Sequence, residues 1–309
     1  MARPKVTIVG AGQVGATTAF LLLEKGLADV VLVDVAEGLP QGKALDLMHS
    51  RSVEHFAPTV SGTNDYADTA DSDVVVVTAG LPRKPGMTRE DLLAANAAIV
   101  RSVIPAAIEE SPEAIFVCVT NPLDVMTHLA WQVSGLPCQR IFGMGGVLDS
   151  ARFAFAIAEE TGAPTETIDA LVVGAHGEAM VPLPRMSTVN GTPLTEILPA
   201  ERVEALVDRT VNAGAEVVAL LKTGSAFYAP AASIVAMLEA ILGDTGAVLS
   251  SCVRLEGHYG IEDVYLSVPA ALGSLGVLEI PELDLDASEL AALRASATSV
   301  AEAVAAAGL

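Results

Sequence analysis

The stretch IVGAGQVGATTAF, residues 8–20, decides how the rest of the chain is read. A short β-branched run, Val6-Thr7-Ile8-Val9, leads directly into Gly10-Ala11-Gly12-Gln13-Val14-Gly15 and then into an apolar stretch with helical spacing. In a strand–turn–helix unit the first glycine permits the tight turn and the second lets a pyrophosphate approach the backbone. The third lets the helix pack close to the sheet. Free N–H groups at the helix N-terminus would then face the phosphates. A lone GxGxxG also fits an ordinary strand-to-helix turn. Here the next strand-like run, Val30-Val31-Leu32-Val33, ends in Asp34, 19 residues beyond Gly15. A carboxylate at that place accepts hydrogen bonds from the ribose 2′ and 3′ hydroxyls and repels a 2′-phosphate. The combination predicts a dinucleotide site that takes NAD in preference to NADP.

Outward from this motif the first half alternates β-rich and helical stretches. Strands are expected at 5–9, 30–34, 59–62, 73–78, 114–119 and 140–143, with helices over 14–25, 41–51, 90–109 and 123–133. Near-continuous Val/Ile runs separated by helices predict a parallel sheet covered on both faces. The turns TAG (78–80) and VTN (119–121) end later strands, where ligands sit in open α/β sheets. The pattern changes near residue 145. A helix over 148–161, a strand at 170–173 and a hairpin at TVNGTPL (188–194), turned by Asn190-Gly191, come next. Helices over 201–221 and 229–242, strands at 247–255 and 262–268, and a C-terminal helix over 288–306 complete the reading. The expected fold class is α/β: an N-terminal Rossmann domain with a doubly wound parallel sheet (1–143), followed by a mixed α+β substrate domain (144–309) in one shared body.

Composition narrows the possible partners. With 38 acidic and 17 basic residues the formal charge is -21, which disfavours nucleic acid and anionic membrane surfaces. Only five of the basic residues are lysines. A carboxylate-rich, lysine-poor surface suits concentrated salt, where the Debye length shrinks to about 3 Å at 1 M; an ordinary acidic protein is the alternative. Hydrophobic content of 51% and a mean hydropathy of +0.50 fit a well-packed core. No apolar stretch is expected to reach the roughly 18–20 residues of a membrane span. The early first strand leaves no room for a targeting peptide, so the cytoplasm is the expected compartment. Cys118, Cys138 and Cys252 are odd in number and lack C-x-x-C spacing, which argues against disulfides and zinc. Cys118, inside an apolar run, reads as a core residue.

Three further stretches carry chemistry. VGAHGEAMVP (173–182) sets His176 between small neighbours that leave its ring accessible, and imidazole exchanges protons near neutrality. A lone histidine is nevertheless most often structural. In LDSARF (148–153), Asp149 and Arg152 share a helix face at i and i+3. They form either a solvent-exposed ion pair, or a carboxylate for the histidine beside an arginine free to fork onto a substrate carboxylate. LPRKPGMTRE (81–90) concentrates Arg83, Lys84 and Arg89 on one short segment of a strongly acidic chain.

Taken together, GAGQVG, Asp34, LPRKPGMTR, VTNPLDV, GVLDSARF and GAHGEAMVP occur in the order in which the lactate/malate dehydrogenase family carries them. The chain resembles that family over essentially its whole length, and within it the malate enzymes built like lactate dehydrogenases. The resemblance implies NAD-dependent interconversion of (S)-malate and oxaloacetate, a step of the tricarboxylic acid cycle. It makes His176 the general acid/base, Asp149 its orienting partner and Arg152 the holder of the C1 carboxylate. By the same resemblance Arg89 would polarise the reacting carbonyl and Asn121 would contact the reacting oxygen. It also implies that Arg83 stands at the selectivity position, where lactate enzymes typically carry glutamine, and that Ser225 lines the pocket. The segment 81–90 would close over bound cofactor and dicarboxylate. Gly10, Ala11, Gly12, Gln13, Val14, Gly15, Asp34, Thr78, Ala79, Gly80, Asn96, Val119 and Asn121 form the expected NAD site, with no metal required. A homotetramer is implied, a dimer being the alternative. Rival readings are a lactate dehydrogenase, against which Arg83 argues, and a non-catalytic NAD-binding regulator, which would have no use for a proton exchanger.

Overall fold

The computed structural model describes residues 3–82 and 88–309, Arg89 by its backbone alone. The elements, in chain order, are β1 (Lys5–Val9), α1 (Gln13–Glu24), β2 (Asp29–Val33), α2 (Leu39–Glu54), β3 (Val60–Thr63), β4 (Val74–Val77), α3 (Arg89–Glu110), β5 (Ile115–Cys118), α4 (Leu123–Ser134) and β6 (Ile141–Gly143). They continue with α5 (Gly146–Thr161), β7 (Ile168–Asp169), β8 (Val172–Gly174), β9 (Met180–Pro182), β10 (Thr188–Val189), β11 (Thr192–Pro193), α6 (Leu194–Ile197) and α7 (Ala200–Leu221). Last come α8 (Tyr228–Leu242), β12 (Ala247–Glu256), β13 (Glu262–Gly273), β14 (Gly276–Glu279) and α9 (Ala287–Ala306).

The first six strands lie in the order β3-β2-β1-β4-β5-β6, all paired in parallel. This is the order of a doubly wound nucleotide-binding sheet, whose direction of winding reverses between β1 and β4. Side chains alternate across such a sheet, and here both faces are buried. Val6, Ile8, Val74 and Val76 join one core with Leu22, Leu23, Ile234 and Leu238. Val9, Val75 and Val77 join a second with Val103, Ile104, Met126 and Leu129. Two buried faces explain why these strands read as unbroken valine runs.

The expected elements are present, most with ends shifted by a residue or two; α2 runs on to Glu54 where an end at 51 was expected, and β13 to Gly273 where an end at 268 was expected. Asp34, for example, lies just beyond β2, and β8 begins at Val172 where a strand from 170 was expected. Asn190 and Gly191 have φ of 51° and 76°, as the predicted hairpin turn requires. Three features were not anticipated. The short strands β7, β9 and β14 carry too few residues for a periodic signal. The sheet does not stop at β6: β12, β13, β8 and β9 extend it antiparallel and β14 pairs with β13, making 11 strands among the described residues, with the crossing at Gly143 opposite Cys252. Local patterning holds no information about such distant pairing.

The third corrects the expectation about apolar stretches. Glu90–Glu110 is long and apolar enough to cross a membrane by length and composition. Its alanines and the interposed Arg101 hide the run from a search for continuous apolar residues. In the fold its Val100, Val103, Ile104 and Ala107 stripe packs into the second core, while most of the remaining window is not buried. A capping box starts this helix. Thr88 accepts from the Asp91 N–H while the Asp91 carboxylate accepts from the Thr88 N–H, both at 3.0 Å. Cys118 is buried in β5, and all three thiols are free.

Candidate active site

The glycines of residues 10–15 serve three different spatial needs. Gly10 has a φ of +106°, and a Cβ there would lie 2.8 Å from both Thr78 Oγ1 and the Ala79 nitrogen. A Cβ on Gly15 would lie 2.0 Å from the Gly10 carbonyl oxygen, so α1 can sit this close only with glycine. A Cβ on Gly12 would meet nothing within 4 Å. Gly12 therefore borders an open cradle at the start of α1, where no side chain caps the helix and its N–H groups stay available to an anion. The carboxylate of Asp34 spans the mouth of this turn, accepting from the Ala11 N–H at 2.7 Å and the Ala36 N–H at 2.9 Å. Open cradle, bare N–H groups and carboxylate fit a dinucleotide.

The neighbouring loops are tied to the glycine turn. Thr78 donates to the carbonyls of Val9 (3.1 Å) and Gly10 (3.0 Å), and Thr120 donates to that of Ala79 (2.7 Å). Ala79 and Val119 are half-buried beside exposed Gly80, Gln13 and Asn121, with Val14 half-buried in the first turn of α1. Asn96 is different. It is 1% exposed, and its amide accepts from the Leu81 N–H and donates to the Leu81 and Asn121 carbonyls. Its geometry is that of a brace between two loops. Asn121 itself precedes Pro122 through a cis peptide bond.

The second cluster forms where α5 begins. Gly145 leaves room there for Leu123, Ser267 and His176, and the Gly146 N–H donates to Ser267 Oγ at 3.1 Å. One turn on, Asp149 is 1% exposed. Its Oδ2 lies 2.8 Å from His176 Nδ1, and its Oδ1 lies 3.4 Å from Arg152 Nη1. Of the two readings of the i, i+3 pair, the solvent-exposed one is excluded: this carboxylate is buried and reaches both partners. The Arg152 contact is long, leaving most guanidinium donors for another acceptor. Gly214 on α7 lies over that group; a Cβ there would lie 3.6 Å from Nη1.

His176 follows β8, and its loop is held from two sides. On α9, Ser296 Oγ accepts from the Ala175 N–H (2.8 Å) and donates to the Ala179 carbonyl (2.7 Å). From α4, Asp124 Oδ2 accepts from the His176 N–H at 3.0 Å. Burial pulls the imidazole's pKa down, but the charge and hydrogen bond of Asp149 and the charge of Asp124 outweigh it, so the net shift is upward. Arg152 opposes that rise. Burial pushes the Asp124 carboxyl up to about 6, against the pull of His176.

The fold thus brings Asp149, Arg152 and His176 together, and separately assembles the glycine turn, Asp34 and the loops at 78–80 and 119–121. Ser225 stands exposed between α7 and α8, and no hydrogen bond among the described residues joins it to the cluster. Arg83 and Lys84 lie outside the described residues, as does the Arg89 side chain. Among the described residues no three His, Cys, Asp or Glu side chains gather as a metal would need. Sequence reading missed Asp124 and Ser296. Asp124 lay in the VTNPLDV motif, three residues after Asn121, and could have been found. Ser296, 120 residues from His176, gave no signal.

Comparison with known proteins covers both halves. The model of the lactate/malate dehydrogenase NAD-binding domain matches residues 4–143. That of the family's alpha/beta C-terminal domain matches residues 146–307. The malate dehydrogenase of Roseiflexus sp. (strain RS-1) is 52% identical over 98% of each chain. That of Pelodictyon phaeoclathratiforme is 54% identical over 96% of each. Among solved structures, the Cryptosporidium parvum malate dehydrogenase superposes with a TM-score of 0.96 at 41% identity, covering 99% of both chains. The lactate dehydrogenase of the same organism, complexed with lactic acid and NAD, gives 0.96 at 42%, over 100% of this chain and 99% of that one.

Proposed function

The chain belongs to the lactate/malate dehydrogenase family, and from that premise we propose that it is an NAD-dependent oxidoreductase interconverting (S)-malate and oxaloacetate. One observation carries the reading: the buried Asp149 carboxylate that engages His176 Nδ1 at 2.8 Å while reaching Arg152. A carboxylate on Nδ1 fixes the tautomer, so Nε2 is left to exchange a proton with a substrate hydroxyl or ketone. Arg152, from the same helix face, can fork onto the C1 carboxylate. The open cradle at Gly12, Asp34 and the loops at 78–80 and 119–121 would hold NAD, braced by Asn96. When bound, NAD supplies the two-electron hydride exchange at the substrate carbon.

The protein's own contribution is proton transfer and electrostatics. In oxidation neutral His176 accepts the hydroxyl proton, and Asp149 stabilises the imidazolium that forms. In reduction the imidazolium donates to the ketone oxygen. Arginine donors aimed at developing charge in a site shielded from water act without reorganising. The family resemblance adds Arg89 as the carbonyl-polarising group, Arg83 as the group on the distal carboxylate and Asn121 on the reacting oxygen; Ser225 is assigned to the pocket on the same ground alone.

Malate is favoured over lactate by relatives named malate dehydrogenase at 50–54% identity. The comparable similarity to a lactate enzyme keeps lactate as the second reading. A division into a cofactor domain (1–143) and a substrate domain (144–309) is supported by the switch from parallel to antiparallel pairing at β6. A homotetramer, with a dimer as the alternative, rests on resemblance, and the cytoplasm stays the proposed compartment. The test is NADH absorbance with oxaloacetate or pyruvate, in wild type and His176→Asn, with sedimentation on the same samples. Oxaloacetate should be the better substrate, and His176→Asn should keep NADH affinity while losing about 10²–10⁴-fold in turnover. Near-wild-type turnover of that variant would make His176 structural.

A further inference from the structure

Asp124 is a buried carboxyl group to which the proton transfer above gives no part. It sits in the first turn of α4 and is 5% exposed. Oδ2 accepts the His176 N–H at 3.0 Å, and Oδ1 accepts the Cys252 S–H at 3.4 Å. Holding a loop amide needs only an acceptor. The same loop shows this one residue earlier, where the neutral hydroxyl of Ser296 takes the Ala175 N–H at 2.8 Å. A carboxyl group is a costly choice for a site that a hydroxyl or amide could serve, because burial disfavours its charged form. The charge needs a beneficiary. Of the two titratable groups it touches, the buried Cys252 thiol is pushed away from ionising by its own burial and by this carboxylate, whereas the charge of His176 is favoured; the two carboxylates Asp124 and Asp149 approach that histidine from different helices.

We propose that Asp124 is a positioning residue for His176: its carboxylate pins the histidine backbone to α4 and, together with Asp149 from α5, sets a second buried negative charge beside the imidazole. The proposal rests on His176 being the proton exchanger. Among the described residues, the groups facing it are Asp149 and Arg152 from α5 and Asp124 from α4, with the Cys252 thiol of β12 against Asp124. Arg152 works against the imidazolium, and a second negative charge offsets it. Each of Asp124 and His176 favours the charged form of the other, so the protonation of one is linked to that of the other. Asp124 also follows Asn121 by three residues, so the loop carrying Asn121 and the loop carrying His176 share one anchor.

Asp124→Asn separates charge from position. The amide oxygen can still accept the His176 N–H, and the amide N–H can turn to the Cys252 sulfur, a weak acceptor. The experiment compares wild type, Asp124→Asn and His176→Asn as full chains. Histidine ring signals are titrated by NMR, and that of His176 is identified among the five histidines by its absence in His176→Asn. In Asp124→Asn the His176 midpoint should move to lower pH, and the pH profile of oxaloacetate reduction should move with it. Groups in one hydrogen-bonded network couple strongly enough for a loss of about 2- to 100-fold in kcat/KM near neutrality, with NADH affinity unchanged. An unmoved midpoint in a folded variant would overturn the proposal and leave Asp124 as an acceptor only. Should the variant not fold, the wild type decides: the carboxyl carbon signal of Asp124 should inflect at the His176 midpoint, and an Asp124 signal that stays flat through that midpoint refutes the coupling. Retained turnover in His176→Asn would instead remove the premise, while the ring titration would still report whether Asp124 acts on His176.

Discussion

Replacing Asp149 by asparagine changes the centre of the site with almost no change of volume. In the wild type one carboxylate, 1% exposed, faces His176 Nδ1 at 2.8 Å and Arg152 at 3.4 Å. An amide offers one acceptor and one donor. With its oxygen towards His176, its NH₂ confronts the guanidinium donors of Arg152. With its NH₂ towards His176, Nδ1 becomes the acceptor and the proton moves to Nε2, the wrong tautomer for taking a hydroxyl proton. Removing one partner of a buried, charge-assisted pair costs about 2–5 kcal/mol. At about 1.4 kcal/mol per decade, kcat/KM for oxaloacetate should fall about 30-fold to several thousand-fold. NADH binding, followed by fluorescence titration, should hold, because Gly12 and Asp34 belong to a separate cluster. The pH dependence has a definite sign. The folded-state pKa of His176 is raised, so the stability from this pair is complete below the free-imidazole value of about 6.5 and is lost as pH rises through the folded value. Without the Asp149 charge, ketone reduction should break at lower pH, and the melting temperature should lose its decline above that value. A variant with wild-type kcat/KM and an unchanged pH profile would refute Asp149 as the group that orients His176.

Asp34 at the cofactor mouth predicts NADH over NADPH in steady-state assays, and equal efficiency with both would remove that role. Arg83→Gln should lower kcat/KM for oxaloacetate by about 30-fold to several thousand-fold while pyruvate loses little. Equal losses for both ketoacids would show that Arg83 is not the selector. The charge of -21 with only five lysines predicts that melting temperature rises as KCl approaches molar concentration, where screening shortens to about 3 Å. Flat melting and sedimentation from low to molar salt would favour an ordinary acidic surface.

Much of this protein is written in short-range pattern. Residues 8–20 alone specify a strand, a tight turn and a helix, because each glycine answers a local steric demand: Gly10 its positive φ, Gly15 the carbonyl 2.0 Å from where its Cβ would be, Gly12 the open cradle. The valine runs announce strands buried on both faces for the same reason, since alternate side chains enter different cores. Asp149 and Arg152 share a helix face by spacing, yet their spacing left open whether that face met solvent. That was settled by tertiary structure, which buries Asp149 against a histidine 27 residues away. Tertiary structure alone supplied the Asp124 and Ser296 contacts to the His176 loop, from 52 residues upstream of His176 and 121 downstream of Ala175. It alone joined β12 to β6 into one sheet. Sequence periodicity encodes what a segment does within a few turns of itself. Which distant carboxylate a buried N–H will find depends on how the helices pack on the sheet, and that is decided only when the whole core closes.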